Sequence, residues 1–381
     1  MKMFKKYVIW MLFVVLMIGL SFTALSEQNV CLAAPNTLEE LASGLAGKGI
    51  KPDGTPLRVG FCIPELWSEF IVSFNYSSWL LGQAGCIVTI VNADNDVTKQ
   101  KNFFDDFVTM GCDVILSISV DPNAIAPTVQ EIKEKYGIPF IFMNKGVYDK
   151  NGTSLADYYI GSPDYEMGRK AAEFIVKKAA GRQVKIAEIT GPLYQFTALN
   201  RHQGFMDVVK QNSNIEVVSS RDCEWLADKA MNATSDILTV HNDIFAIFSQ
   251  SDCMLPGVFS ALQQAKQLYP VGDSNHIIVI ATDGAPYAFQ EIRNGYLDMT
   301  LEHSPYGMST VGVKAVLSFA QGLPFPKEKD VTIVPVEVTA ENVDDTSLWG
   351  NYGTPKNELW PETLRIWKEY PFPEEESFWQ R

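Results

Sequence analysis

Trp67, Phe70, Asn144, Lys145 and Asp283 fall at or just beyond the ends of short apolar runs. Their types suit holding a small polar molecule. Carboxylates accept hydrogen bonds, an ammonium donates them, an amide does both, and aromatic rings offer flat apolar faces. Nothing in the chain pairs a nucleophile with a base. There is no Gly-x-Ser-x-Gly elbow, no Gly-x-Gly-x-x-Gly loop and no zinc pattern, and the four histidines show no H-E-x-x-H pairing. The run Gly44-x-x-Gly47-Lys48-Gly49 follows no strand and lacks a Lys-Ser/Thr pair, so it is not a phosphate loop. No catalytic residue, cofactor or metal is expected. Each strand-end acid has a plainer role available: Asp283 stands where it could cap the next helix, and Glu65, Asp94 and Asp121 rank below it as candidates because acids at strand ends often do so.

The elements that carry these residues repeat. Apolar runs at 57–63, 87–92, 114–119 and 140–143 alternate with helical stretches, and the pattern restarts at 184–190, 215–220, 244–249 and 277–281. Continuous apolar runs are expected of parallel strands covered on both faces. Helices are expected over 69–82, from near Asn123 to Gly137, over 166–180 and over 304–322. A final strand is expected over 331–338. The fold class is therefore α/β, with two Rossmann-like three-layer lobes of parallel sheet. Ligands sit outside the carboxyl ends of such strands, so two facing lobes make one cleft. Chain crossings near Gly161, His303 and Val334 form the hinge.

The N-terminus reads as an export signal: Lys2, Lys5 and Lys6, then an apolar stretch over 7–20, then small residues with candidate cleavage after Ser26, Ala33 or Ala34. Gln28-Asn29-Val30 before Cys31 does not fit a lipoprotein signal, which favours a soluble exported protein. The net charge of −14, about two units more negative once the signal is removed, repels phosphate backbones and argues against nucleic-acid binding. Cys62, Cys86, Cys112, Cys223 and Cys253 make no disulfide framework and are expected to pack as buried thiols, with Cys223–Cys253 the alternative pairing. The expected layout is a signal peptide over 1–34, a leader over 35–56, an N-terminal lobe over 57–161 plus 304–333, a C-terminal lobe over 162–303 plus 334–345, and an aromatic tail over 346–381. The tail aromatics are expected to pack on the body, with a partner-docking surface as the alternative.

Ala281-Thr282-Asp283-Gly284, Arg293-Asn294-Gly295-Tyr296-Leu297 and Thr300-Leu301-Glu302-His303 carry a resemblance. So do Phe248-Ser249-Gln250-Ser251-Asp252, Arg201-His202-Gln203-Gly204-Phe205 and Ile160-Gly161-Ser162-Pro163-Asp164. In their order and spacing, the chain over about 57–345 resembles type I periplasmic sugar-binding proteins, the ribose- and galactose-binding group. The resemblance implies a monosaccharide or related polyol held between rings, because a pyranose has apolar C–H faces and a belt of hydroxyls. It places Phe70 and Trp225 at ring positions, although Phe70 fits the core equally well. It places Ser251 or Asp252, Asp283 and His303 at polar contacts, and Arg201 at an arginine that is either a contact or structural.

Departures from the family pattern bear on the ligand. Asn144-Lys145 stands where the family commonly has Asp-Arg, and a lysine cannot reproduce an arginine fork. Ile71 occupies a second ring position, for which Trp67 offers a ring from another angle, and Leu199 replaces a ligand-binding arginine. A modified sugar, a polyol and a non-sugar polar ligand all stay open. The resemblance implies an exported, monomeric solute-binding protein that hands its ligand to an ABC importer permease. The alternatives are a receptor subunit that signals to a membrane sensor and an exported enzyme acting on a sugar-like substrate.

Overall fold

The computed structural model describes residues 43–325 and 329–351. One sheet holds β1 (Arg58–Ile63), β2 (Ile87–Asn92), β3 (Val114–Ser117), β4 (Phe140–Met143), β5 (Tyr158–Gly161) and β11 (Asp330–Thr332), all parallel, in the order β11-β5-β4-β3-β1-β2. The other holds β6 (Val184–Thr190), β7 (Ile215–Asp222), β8 (Ile244–Ser249), β9 (Ile278–Asp283), β10 (Met299–Glu302) and β12 (Val336–Val338), in the order β12-β10-β9-β8-β6-β7. Only β12 runs antiparallel to its neighbour there. The fold is α/β with two parallel-dominated sheets, as the alternating pattern required.

Helices α1 (Glu69–Ser73), α2 (Tyr76–Gln83), α3 (Val97–Thr109) and α4 (Pro122–Tyr136) link the first sheet's strands. Helix α5 (Asp164–Ala179) leads from β5 across to β6, and α6 (Phe196–Val209), α7 (Ala227–Val240), α8 (Leu255–Gln264) and α9 (Pro286–Arg293) link the strands of the second sheet. Helix α10 (Pro305–Ala320) returns to the first: a Cβ on Gly312 would lie 3.0 Å from Met143 Sδ and 3.6 Å from Ile160 Cδ1. Alternation along the strands sorts the core onto two faces. In β6, Ile186 packs with Phe205 and Phe248 on one face, while Ala187 and Ile189 pack with Val258 and Phe289 on the other. Phe104, Phe107, Ile125 and Val129 cover one face of the first sheet in the same way.

Two expected elements are broken. The strand expected over 331–338 is β11 and β12, one in each sheet. Pro335 lies between them, lacks a backbone N–H and cannot extend a ladder. The helix expected over 69–82 is interrupted at Phe74–Asn75. There the N–H of Phe74, Asn75 and Ser77 each bonds a carbonyl three residues back, and Ser73 Oγ donates to the Glu69 carbonyl, a contact that bends helices.

The chain passes between the sheets after β5, after β10 and between β11 and β12. Asp121 accepts from the N–H groups of Asn123 and Ala124, and so caps α4. Asp96 caps α3, and Asp94 pairs with Lys99 at the surface.

Candidate ligand-binding cleft

The carboxyl ends of both sheets open onto one cleft. It encloses about 520 Å³ of atom-free space, including its mouth. Trp67, Phe70, Asn144, Lys145, Arg201, Trp225, Ser251 and Asp283 all line it, so eight of the ten side chains singled out in the sequence share one cavity. Asn95, Asn144, Trp225 and Asp283 each hold a positive φ, at 55°, 58°, 62° and 119°. Such backbone costs free energy in non-glycine residues and gathers where a site demands it. Here it turns the side chains that follow each strand into the gap.

Asp283 is the most heavily bonded group. Its Oδ2 accepts from Ser251 Oγ at 2.5 Å and from the Asp252 N–H at 3.3 Å. Its Oδ1 accepts from His303 Nε2 at 3.0 Å and lies 3.5 Å from Arg201 Nη1. That bond requires the His303 proton on Nε2 and leaves Nδ1 a bare, unpartnered acceptor. Burial pushes the His303 pKa down, against the opposing pull of Asp283, so the ring is neutral.

Arg201 is spent on the protein. Its Nε donates to Asp164 Oδ1 at 2.9 Å, and its Nη1 donates to the Gln250 carbonyl at 2.5 Å and to Thr282 Oγ1 at 2.7 Å. At 2% exposure it edges the cavity and fixes the groups around it. The structural role left open for it in the sequence is the one these bonds describe.

Lys145 is different. Its ammonium stands over the Trp225 ring across the cleft, 6.0 Å from the ring centroid. Burial lowers its pKa, and the charges of Glu65 and Asp283 work against that fall. Beside it, Glu65 accepts from the N–H groups of Trp67 and Ser68, and burial raises its pKa. Asn144 is 5% exposed, with Oδ1 unpartnered. The first lobe therefore presents an ammonium, an amide oxygen and a carboxylate side by side.

Trp225 lies flat on the backbone of Gly191, where an added Cβ would fall 2.0 Å from Cζ2 of the ring. Its Nε1 donates to Gln195 Oε1 at 2.9 Å, and Cys253 Sγ donates to its carbonyl. Phe70 is buried against His303, with ring centroids 4.7 Å apart, while showing an edge to the cavity. It serves core and cleft together. Trp67 stands half exposed at the rim.

Two expectations need correcting. Asp252 does not line the cavity. It faces away, accepting from the Ala285 N–H at 2.8 Å and from Thr300 Oγ1 at 2.9 Å, so Ser251 is the member of that pair at the site. His303 is wholly buried behind Asp283 and positions it.

Sequence reasoning passed over Ser68, Asn95, Thr197 and Cys253, which also line the cleft, and ranked Glu65 low. Cys253 carried a signal, since it directly follows Ser251 and Asp252. Burial pushes its thiol pKa up to about 12, and it forms no disulfide with Cys223. Trp349 is fully buried behind the cleft, donating to the Asp283 carbonyl at 2.8 Å and packing on Phe70 and Tyr306. The later tail aromatics and the expected signal peptide lie outside the described residues. Among the described residues, no group of three or more His, Cys, Asp or Glu could hold a metal ion.

Known proteins share this fold. Residues 78–324 match the family model of the periplasmic binding protein domain. A ribose import binding protein of Bacillus subtilis is 26% identical over 69% of this chain and 82% of its own length. An ABC transporter solute-binding protein from Mycobacterium smegmatis, solved with bound glycerol, superposes with a TM-score of 0.68 at 25% identity, covering 76% of this chain and 96% of that one. A galactofuranose-binding protein gives a TM-score of 0.70 at 20% identity, covering 82% and 99%, which supports the fold. With two such sheets, a shared cleft and a family match over most of the chain, this protein belongs to the type I periplasmic sugar-binding proteins of the ribose- and galactose-binding family.

Proposed function

We propose that the protein captures one small polyhydroxylated molecule, a monosaccharide or related polyol, between its lobes. The observation that carries this reading is the Trp225 ring facing Lys145 across the cleft, with Asn144, Glu65 and Asp283 around it. A hydroxyl both donates and accepts, so vicinal hydroxyls match a donor-only ammonium and acceptor-only oxygens set close together. The flat C–H face of the same molecule covers the indole.

Ligand favours the closed state because only that state lets both lobes touch it. The closed form is then what an ABC importer permease reads at the outer face of the membrane. Export by the basic and apolar N-terminus puts the protein there, as a monomer, and binding is stoichiometric without turnover. A membrane sensor reading the same closed form is the second use to which this geometry lends itself.

The test is a thermal-shift screen of protein stripped of ligand by unfolding and refolding, against monosaccharides and polyols including D-ribose, D-allose and myo-inositol. A true ligand at a hundredfold excess over its Kd adds about 2.7 kcal/mol of stability. Refolded protein that shifts with no member of such a panel would overturn the reading.

A further inference from the structure

Gln195 does not itself line the cleft, yet its side chain joins the two lobes. Its Nε2 donates to the Val120 carbonyl of the first lobe at 3.2 Å, and its Oε1 accepts from the Trp225 indole of the second at 2.9 Å. The residue is 2% exposed. A carbonyl only accepts and an indole N–H only donates, so the amide has one orientation that satisfies both.

Both ends are held in place beforehand. The Val120 N–H donates to Gln100 Oε1, and Gln100 Nε2 donates to the Ile118 carbonyl, all of it buried. Gly191 backs the Trp225 ring, and the Gln195 N–H bonds the Pro192 carbonyl at the start of α6. The same seam carries an edge-on contact between Tyr148 of the first lobe and Phe196 of the second, with centroids 5.1 Å apart.

We infer that Gln195 is a positioning residue that couples the orientation of the Trp225 ring to closure of the cleft. When the lobes part, Val120 and the Gln195 amide return to water, and the amide is free to turn away from the indole. Closing fixes the amide, and the amide fixes the ring. Coupling of this kind is reciprocal: whatever stacks on Trp225 favours closure, and closure tightens the stack. The inference rests on the proposed closing of the lobes around a ligand, but it adds a residue that acts without touching that ligand.

The test needs no ligand. A parent carrying Tyr148→Cys and Phe196→Cys is treated with a short bis-maleimide, and the rate of lobe-to-lobe cross-linking reports how often the cleft closes. Adding Gln195→Met removes both hydrogen bonds and should slow trapping about five- to tenfold, the scale of one lost buried hydrogen bond. The melting temperature of the open, ligand-free protein should hardly move. Gln195→Glu should slow trapping equally, because a carboxylate repels the Val120 carbonyl, while the Trp225 indole proton resonance keeps its hydrogen-bonded position. Equal trapping rates with and without these changes would overturn the role of Gln195 alone. A fall in melting temperature with trapping unchanged would show a merely structural residue. A parent that never cross-links would overturn closure itself, and the inference with it.

Discussion

Arg201 Nε lies 2.9 Å from Asp164 Oδ1, both side chains almost wholly buried, where the chain first passes from one sheet to the other. The same guanidinium reaches Thr282 and Asp283, the carboxylate that His303 holds beside the second crossing. The cleft carboxylate and two of the three crossings are thus held by one cation. Burial raises the Asp164 pKa, and Arg201 opposes that rise.

Removing that cation leaves two buried acids without their partner. Arg201→Met is expected to destabilise the protein by about 3–5 kcal/mol, the range for breaking a buried pair from one side. Urea unfolding of the ligand-free protein measures it. A loss below about 1 kcal/mol would mean that the pair contributes little to the hinge.

Gly191→Ala acts on the ring instead. The new Cβ would meet Trp225 Cζ2 at 2.0 Å, so the indole must shift into the cleft. Overpacking of this kind costs about 1–3 kcal/mol in stability. Ligand affinity is expected to fall by more than about tenfold, because stacking geometry is lost as well. Calorimetric titration beside a melting curve separates the two effects, and unchanged affinity would remove Trp225 from the binding surface.

Helices α5 and α6 touch through backbone. A Cβ on Gly204 would sit 1.9 Å from the Tyr165 carbonyl oxygen, and one on Gly168 would sit 1.9 Å from that of Arg201. Neither neighbour is a side chain that can swing aside. Gly204→Ala should therefore cost about 3 kcal/mol at the upper end of overpacking effects, read by urea unfolding. A neutral result would show that the helices separate freely.

His202 gives the protein a pH signature. Its Nδ1 lies 2.7 Å from Glu188 Oε2, and that hydrogen bond raises the histidine pKa against the effect of burial. A raised folded pKa means stability that is fully present below the unfolded value of about 6.5. That contribution is lost as pH rises through the folded pKa. His202→Gln should cost about 1 kcal/mol near pH 5.5 and progressively less towards pH 8.5. Melting curves across that range check the sign, and a deficit that widens with pH would contradict it.

How far the sequence reached follows from what kind of signal each feature leaves. Apolar runs interrupted by glycine and proline made the sheets legible, because strands buried on both faces must be apolar along their length. Strand ends led to Asn144, Lys145 and Asp283, and the resemblance led to Trp225. Direction was not legible. Asp252 and Ser251 are adjacent and equally polar, and only the three-residue helical turn Asp252–Met254 decides which one faces the cleft. Gln195 was invisible because its value lies in Val120, seventy-five residues away, and no local pattern records such a pair. Trp349 packs on the body as expected of a tail aromatic, but its place was hidden for the same reason: its partner is the backbone of Asp283, and a carbonyl has no sequence signature.

The most direct measurement is calorimetric titration of the strongest compound from the thermal screen into the wild type and into Trp225→Ala and Asp283→Asn. One molecule should bind per chain, and each substitution should weaken binding by at least about tenfold, the cost of a lost stacking face or charged hydrogen bond. If the compound bound one to one and both variants held it as tightly as the parent, the guest would sit elsewhere and the gap between the lobes would not be its site.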